Sequence, residues 1–333
     1  MAPQNAPRIV DEAMRTTTGT APGELFQQGI QAVEELMYAV VETDVSILTE
    51  ASRHILKAGG KRVRPRMVLL SYIALGGTDI DYVVPAAAAI ELVHTASVVH
   101  DDINDHGVLR RGRPSINSIW GRTFALLTGD FLFTKVYELM APYKDLNIDL
   151  AEATIALVEG ETLQASAVKE GKFSRQIYHD IISRKTAALF RSGAVIGAKL
   201  AGASAKEIDA LADYGFKIGL AFQIIDDILD LVADAETLGK TAGIDLEQGK
   251  GFAVHATAAP TANANGAGSN IVDSGDPMLV IKQKLLQGDA IPEARQQAKV
   301  LASQAVDSID LLPASFEKDE LVKLAHLVVD RDH

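Results

Sequence analysis

Apolar side chains recur at three- and four-residue steps through most of this 333-residue chain. The pattern is already clear at Ile30, Val33 and Met37, and it is typical of amphipathic helices, because strands would alternate. It predicts helices over 25–57 with one possible break, and then over 66–76, 83–104, 115–141, 147–171, 174–202, 206–234, 290–311 and 315–330. Since no convincing run of alternating residues accompanies them, the sequence predicts an all-α fold.

Helix boundary signals support this interpretation. Ser204 with Glu207 three residues later is typical of a capping box, and Pro65 suits the first turn of a helix. Residues 1–23 are rich in Pro, Thr and Gly and predict a flexible arm. We predict one all-α domain over 24–333, with a mobile loop at about 251–278, where Ala, Asn and Gly dominate.

Composition narrows the classes of function. The formal net charge of −12 argues against a nucleic acid partner, because phosphate neutralisation needs a basic face. Without cysteine, disulfides and thiolate zinc sites are excluded. No stretch approaches the ~20 uninterrupted apolar residues of a membrane span, and the N-terminus has no secretory signal pattern. We expect a cytoplasmic protein, for which peripheral membrane contact stays open.

Two acidic clusters share the spacing D-D-x-x-D. The first acidic cluster is Asp101, Asp102 and Asp105, and the second is Asp226, Asp227 and Asp230. Positions i and i+4 share a helix face, and carboxylates are hard ligands that suit Mg²⁺ better than zinc. One such cluster is a weak signal among 44 acidic residues. Two clusters, each preceded by an apolar run, favour a Mg²⁺ site.

Basic residues stand near both clusters. They are Lys61, Arg62 and Arg64 after a glycine pair, Arg110 and Arg111, Lys185 beside Thr186 in an apolar helix, and Lys240 and Lys250. One guanidinium group can donate two parallel hydrogen bonds to two oxygens of a phosphate, whereas an ammonium acts as a compact point charge. Separate cations beside acidic clusters favour Mg²⁺–diphosphate recognition. His94 lies two helical turns before Asp101, and spacing alone leaves it either a core residue or a ligand.

These motifs together resemble one known family. The segments "GGKRVRP", "ELVHTASVVHDDINDHGVLRRGRPS", "SRKTAALF", "AFQIIDDILD" and "GKTAGIDLEQGK" closely resemble trans-isoprenyl diphosphate synthases (polyprenyl synthetases), in order from about residue 55 to 250. The resemblance implies an isoprenoid-synthase bundle of long helices around a deep central cavity, usually a homodimer. It also implies head-to-tail condensation of isopentenyl diphosphate with an allylic diphosphate.

The resemblance implies roles for individual residues. The catalytic and metal-binding set would be Asp101, Asp102, Asp105, Asp226, Asp227 and Lys185, with Asp230 a further ligand to a set of three Mg²⁺ ions for which Mn²⁺ could substitute. Positions matching allylic diphosphate contacts are Arg110, Lys185, Thr186, Gln223 and Lys240. Positions matching isopentenyl diphosphate contacts are Lys61, Arg64, His94 and Arg111. After "DLEQGK" the sequence departs from the family pattern, which leaves the placement of Lys250 in doubt.

Product length is an expectation drawn from the same resemblance. Short-chain members usually carry a bulky aromatic residue five or four positions before the first Asp, where this chain has Ala96 and Ser97. We therefore expect a product longer than twenty carbons, shortened by Ala96→Phe, with a floor among Val93, Phe133, Tyr137 or Met140. The alternatives are a geranylgeranyl diphosphate synthase, a class I terpene cyclase, a head-to-head synthase, or a non-catalytic subunit of a heteromeric synthase.

Overall fold

A computed structural model of the chain describes residues 23–171, 174–232 and 290–331. The first helices are α1 (Glu24–Val40), α2 (Ser46–Lys57), α3 (Val63–Ala74) and α4 (Ile80–Asn104). A small hairpin of β1 (Leu109–Arg110) and β2 (Arg113–Pro114) separates these from α5 (Ile116–Trp120) and α6 (Arg122–Met140). A 3₁₀ turn (Ala141–Tyr143) leads to α7 (Leu146–Glu170) and α8 (Arg175–Ile182). A π turn (Ser183–Ala187) joins α8 to α9 (Ala188–Leu200), which α10 (Ala205–Val232), α11 (Ala290–Ser308) and α12 (Phe316–Val329) follow.

Several predicted boundaries are confirmed. The expected break divides the first stretch into α1 and α2, and Pro65 lies in the first turn of α3. The capping box is present before α10: the Ser204 hydroxyl and backbone N–H both donate to Glu207 Oε2, at 2.7 and 2.8 Å. These local signals hold because each depends on neighbouring residues only.

Two predicted helices are interrupted, and a hairpin was missed. Gly121 divides the stretch 115–141 into α5 and α6, because its φ of +82° does not fit a right-handed helix. Glycine adopts this φ readily, since it has no β-carbon. The stretch 174–202 contains the π turn, which sequence periodicity does not indicate. In the hairpin, Arg110 pairs with Arg113.

The helices pack around α4 and α10. Helix α4 packs against α1, α3 and α6, while α10 packs against α9, α11 and α12. The alanine run Ala86–Ala89 of α4 is fully buried, which allows close approach of its neighbours. Among the described helices, α4 alone has the length and apolarity of a membrane span, but 72% of its apolar window is buried inside the fold. Core packing therefore accounts for its hydropathy.

Some predictions fall on residues outside the described ranges. They are all but the last residue of the arm 1–23, the loop 251–278, and the basic residues Lys240 and Lys250. The two acidic clusters and the remaining candidate site residues are all within the described ranges.

Candidate active site

The first acidic cluster closes the C-terminal end of α4. Asp101 and Asp105 are partly buried, whereas Asp102 is only 3% exposed. Asp102 Oδ1 accepts hydrogen bonds from Arg110 Nε at 3.1 Å and Nη2 at 2.7 Å. Burial raises the pKa of Asp102, and the charge and hydrogen bonds of Arg110 oppose that rise. The hairpin thus holds Arg110 beside the cluster.

Lys185 lies between the first acidic cluster and α7. Its Nζ is 3.8 Å from Asp101 Oδ2, 2.5 Å from Glu161 Oε1 and 3.1 Å from Gln164 Oε1. Burial is the largest influence and lowers the pKa of Lys185, but Asp101 and Glu161 together outweigh it, so the pKa is raised. The pKa of Glu161 is also raised, chiefly by burial and further by Asp101, with Lys185 opposing. Lys185 is therefore cationic.

The second acidic cluster is held by a chain of hydrogen bonds. Asp227 is 6% exposed and accepts from the Tyr178 hydroxyl at 2.7 Å and from Gln223 Nε2 at 3.0 Å. Gln223 Oε1 in turn accepts from Thr186 Oγ1 at 2.7 Å. Burial and the nearby Asp227 raise the pKa of Tyr178, so its hydroxyl keeps the proton that it donates. Asp226 is partly buried, one position earlier on α10.

The π turn connects the two clusters. Lys185 reaches the first cluster, and Thr186 reaches the second through Gln223. Two glycines allow the turn to lie between α7 and α10: a β-carbon on Gly160 would be 2.5 Å from Lys185 N, and one on Gly219 would be 2.5 Å from Ala187 Cα. The turn therefore rests directly on the backbones of both helices.

A cationic group consisting of Lys61, Arg64 and Arg111 lies close enough to Asp226 to interact with its charge. Arg64 is 9% exposed, with its guanidinium carbon 4.8 Å from the ring centroid of Phe190. Burial lowers the pKa of Arg64 to about 10, with Asp226 among the opposing charges, so it stays cationic at neutral pH. Lys61 and Arg111 are exposed and interact electrostatically with Asp226.

Arg62 supports the loop that carries this group. It has φ of 47°, and its buried guanidinium forms ion pairs with Glu34 and, at 3.0 Å, with Glu91. The buried ion pairs of Arg62 fix the backbone at the start of α3, and Lys61 and Arg64 lie within two residues of it in the sequence. The structure therefore separates the basic residues of "GGKRVRP" into one structural and two site-facing residues.

His94 lies among the charges of the cationic group. Burial and then the charges of Arg64 and Arg111 lower its pKa well below the usual value, so the imidazole is neutral at pH 7. His94 therefore stands beside the cationic group, where a neutral imidazole can donate a hydrogen bond without adding charge.

The small residues before Asp101 differ in accessibility. Ala96 has no exposed surface, whereas Ser97 is 9% exposed and lies one helical turn before Asp101 on the same face. Among the suggested floor residues, Val93 and Met140 are buried and Phe133 packs on His100, but Tyr137 is 72% exposed. Tyr137 is thus not part of a buried floor within the single chain, because its side chain points away from the core.

The carboxylates fit Mg²⁺ in the way that the cation usually binds. Within the described ranges, no three His, Asp or Glu side chains converge into a metal site of their own. Mg²⁺ keeps several waters and commonly binds through one or two carboxylates and substrate phosphates. Asp101, Asp105 and Asp226 offer partly accessible hard oxygens beside cations that would hold those phosphates. Asp230 lies one turn beyond Asp226 on α10.

The sequence analysis missed three residues that contact the site. Glu161 and Gln164 could have been noticed as polar residues at i and i+3 after a glycine in "VEGETLQ". Tyr178 gives no comparable signal, because it is 49 positions from the carboxylate that it contacts.

Helices that bring two acidic clusters, a lysine and a cationic group together define a protein of the diphosphate-handling, isoprenoid-synthase class. The polyprenyl synthetase family model matches residues 45–276. An octaprenyl diphosphate synthase of Haemophilus influenzae is 34% identical over 317 residues, 93% of this chain and 96% of that protein. A short chain isoprenyl diphosphate synthase of Methanothermobacter thermautotrophicus is 35% identical over 91% of this chain and 96% of its own length.

The fold agrees with these relatives. A crystal structure of polyprenyl synthase from Caulobacter crescentus, complexed with calcium and isoprenyl diphosphate, is similar with a TM-score of 0.84 and 31% identity over 93% of this chain and 97% of that one. The chain belongs to the polyprenyl synthetase family and has the all-α isoprenoid-synthase fold. It is a prenyltransferase that makes an isoprenyl diphosphate.

Proposed function

We propose that this chain condenses isopentenyl diphosphate with an allylic diphosphate, head to tail and with Mg²⁺, to give an all-trans polyprenyl diphosphate longer than twenty carbons. The observation that carries the proposal is the π turn, whose Lys185 and Thr186 reach the two acidic clusters from adjacent positions. A substrate diphosphate placed between the clusters would meet both residues at once.

The allylic diphosphate is held by groups around the π turn. Lys185 and Arg110 carry the positive charge, Thr186 and Gln223 supply hydrogen-bonding groups, and Lys240, outside the described residues, is a further contact of this kind. The ammonium of Lys185 is charged because nearby carboxylates raise its pKa. When the allylic C–O bond breaks, these cations stabilise the negative charge that develops on the leaving diphosphate.

Isopentenyl diphosphate is held by the cationic group and by His94. Its double bond then attacks the allylic carbon, a new C–C bond forms, and the proton released passes to the departed diphosphate. Neutral His94 donates a hydrogen bond to the phosphate without altering the charge of the site. The apolar face of α4 before Asp101 keeps water from the allylic cation.

Asp101, Asp105 and Asp226 are the residues that would hold Mg²⁺, and Asp230 is a further candidate ligand. Bound there, the cation supplies Lewis-acid neutralisation of the diphosphate. Asp102 and Asp227, although predicted as ligands, are engaged by Arg110 and by Tyr178 with Gln223. We assign to these two the positioning of their clusters.

The length proposal rests on the small side chain of Ser97. Because Ser97 is small and shares a helix face with Asp101, we infer that the growing prenyl chain passes it, while Ala96 packs inside the core. The relatives include an octaprenyl and a short chain synthase, and the mass of the product distinguishes these lengths.

The active form is proposed to be a homodimer, with cytoplasmic location and peripheral membrane contact for product release. Helix α7 exposes Ile148, Ile155 and Val158 at helical spacing, and α6 exposes Phe124 and Leu127. A second copy would cover these faces. Analytical ultracentrifugation should give a dimer that Ile155→Glu weakens, and a monomeric wild type would refute this part.

The main test incubates the purified chain with Mg²⁺, farnesyl diphosphate and isopentenyl diphosphate, and identifies products by mass. We expect prenyl diphosphates longer than twenty carbons, and none after chelation of the metal. Asp226→Asn should lower kcat by roughly a hundredfold or more. Without this carboxylate, the Mg²⁺ that it would hold no longer stabilises the negative charge that develops on the leaving diphosphate. Asp209→Asn, at an exposed carboxylate on the same helix, is the matched control.

Each other outcome identifies an alternative. A product that stops at twenty carbons means a geranylgeranyl diphosphate synthase, and a cyclic hydrocarbon means a terpene cyclase. A product joined head to head would likewise refute the reaction type. Turnover only after a second protein is added would identify a subunit of a heteromeric synthase.

A further inference from the structure

Glu91 is a buried acidic residue on α4, about one helical turn before His94. It is 4% exposed, and its Oε1 accepts a hydrogen bond from Arg62 Nη1 at 3.0 Å. Its Oε2 is also buried, and no residue that the structure describes donates a hydrogen bond to it. A buried carboxylate oxygen without a donor is costly. The pairing with Arg62 alone therefore does not account for a carboxylate at this position.

Glu91 is a stronger counter-charge to the two arginines of the cationic group than Asp226 is. Burial has the largest influence on the pKa values of Arg64 and Arg111 and lowers both, and the attraction of Glu91 is the largest opposing influence, ahead of Asp226. Helix α3, which carries Arg64, packs against α4. Arg111 lies against the loop before α3, since a β-carbon on Gly60 would be 2.5 Å from Arg111 Nη1. Both cations are therefore held beside the helix that carries Glu91.

A phosphate bound by the cationic group would carry charge of the same sign as Glu91. While the site is empty, the carboxylate offsets the repulsion between Arg64 and Arg111. Once a phosphate offsets that repulsion, the carboxylate instead repels the phosphate. Arg64 is 9% exposed, and its guanidinium carbon is 4.8 Å from the ring centroid of Phe190, which restricts its movement when the counter-charge is removed. Neutralising Glu91 should therefore destabilise the empty site and tighten anion binding.

We propose that Glu91 is a positioning residue that acts as an internal counter-ion: it holds Arg64 and Arg111 together in the empty site and weakens the binding of isopentenyl diphosphate there. This rests on the function proposed above, since it assigns the anion to that substrate. The role differs in sign from that of a purely structural partner of Arg62. A structural partner would strengthen substrate binding, because it would hold the loop that carries the cations.

The test compares Glu91→Gln with the control Glu34→Gln in the full-length chain. Glutamine at position 91 removes the charge but keeps an amide oxygen that can accept from Arg62. Glu34 is matched, because it is the other carboxylate that pairs with Arg62, accepting from Nη2 at 3.1 Å. It is not among the main charges that act on Arg64 or Arg111. The control therefore reports the loss of a partner for Arg62 without the loss of the counter-charge.

Calorimetry with isopentenyl diphosphate, in buffer without Mg²⁺, measures the effect on binding. We expect Glu91→Gln to lower Kd roughly three- to tenfold, because the phosphate no longer meets a buried negative charge. Glu34→Gln should bind no more tightly than the wild type. Unchanged or weaker binding by Glu91→Gln, or an equal gain in affinity in Glu34→Gln, would overturn the inference.

Urea unfolding of the ligand-free protein separates this inference from the proposed function, because it needs no substrate. The shift in urea midpoint that Glu91→Gln causes should be smaller in an Arg111→Gln background, where one of the repelling cations is already gone. Equal shifts in both backgrounds would overturn the inference, even if the wild type turns over substrate. If Glu91→Gln alone does not fold, Arg111→Gln should restore folding, and failure to do so would also overturn it. If the wild type binds no isopentenyl diphosphate, the proposed function fails and this comparison still decides whether Glu91 is a counter-ion.

Discussion

Replacing Gly160 with alanine should disable the site through the backbone of the π turn. The new β-carbon would lie 2.5 Å from Lys185 N and 2.9 Å from Lys185 Cα. Ordinary contact begins at 3.4 Å, so the backbone must move by the difference between 3.4 and 2.5 Å, which is 0.9 Å. Backbone atoms cannot rotate away as a flexible side chain can, and Gly219 limits movement on the opposite side.

The size of the effect follows from that displacement. Overpacking of this kind costs about 1–3 kcal/mol of unfolding free energy. A misplacement of ~1 Å at a catalytic group can cost about a hundredfold in rate, and Lys185 is the group displaced. We therefore expect Gly160→Ala to lower kcat by roughly a hundredfold at saturating substrates, with a lower Tm.

The control is Gly193→Ala on α9. Its β-carbon would be 3.4 Å from Val68 Cγ2 and 3.5 Å from Ile90 Cδ1, which is ordinary contact. Alanine also favours the helix by up to about 1 kcal/mol, so Tm should hold or rise while kcat stays the same. Product formation by mass and thermal melting by circular dichroism are measured in parallel. A Gly160→Ala protein that melts lower but keeps the wild-type kcat would refute the positioning of Lys185 by this contact.

Three further substitutions test other parts of the site. Ser97→Phe should shift the products to shorter chains in a mass assay, because the ring would occupy the path of the chain on the helix face that leads to Asp101. Unchanged lengths would contradict the length proposal. Tyr178→Phe should lower the unfolding free energy by about 1–3 kcal/mol in urea titrations, since buried Asp227 loses a donor, and no change would contradict that contact's importance. His94 stays neutral in the folded chain, but in the unfolded chain it is protonated as pH falls through about 6.5. The free energy of unfolding is therefore highest above pH 6.5 and declines below it, by at most about 1.4 kcal/mol per pH unit. His94→Asn should remove that part of the decline between pH 7 and 5.5, and an identical decline would contradict it.

The features predicted from the sequence are those that depend on local spacing. Helix periodicity, the Ser204 capping box and the D-D-x-x-D spacing each involve residues within a few positions. The division of roles within "GGKRVRP" was beyond such reasoning, because Arg62 is turned inward by Glu34 and Glu91, 28 and 29 positions away.

The π turn shows the same limit on a larger scale. Its residues have ordinary helical periodicity, so the sequence predicts an uninterrupted helix. Gly160 and Gly219 give it room, but they lie 25 positions before Lys185 and 34 after, and nothing local connects them with it. Contacts of that range become visible only when the helices are packed.

The packed structure also explains why each cluster begins with two adjacent aspartates. The second of each pair, Asp102 or Asp227, is buried and held by protein donors, whereas the first, Asp101 or Asp226, is partly accessible. Adjacent helical residues point about 100° apart, so one can be anchored in the core while its neighbour faces the substrate. Anchoring restricts the helix end before any ligand arrives, which lowers the entropy lost when the accessible carboxylate is engaged. A single aspartate at each position could not do both equally well, because the donors that hold the buried carboxylate, Arg110 at Asp102 Oδ1 or Tyr178 and Gln223 at Asp227, occupy lone pairs that a ligand would need.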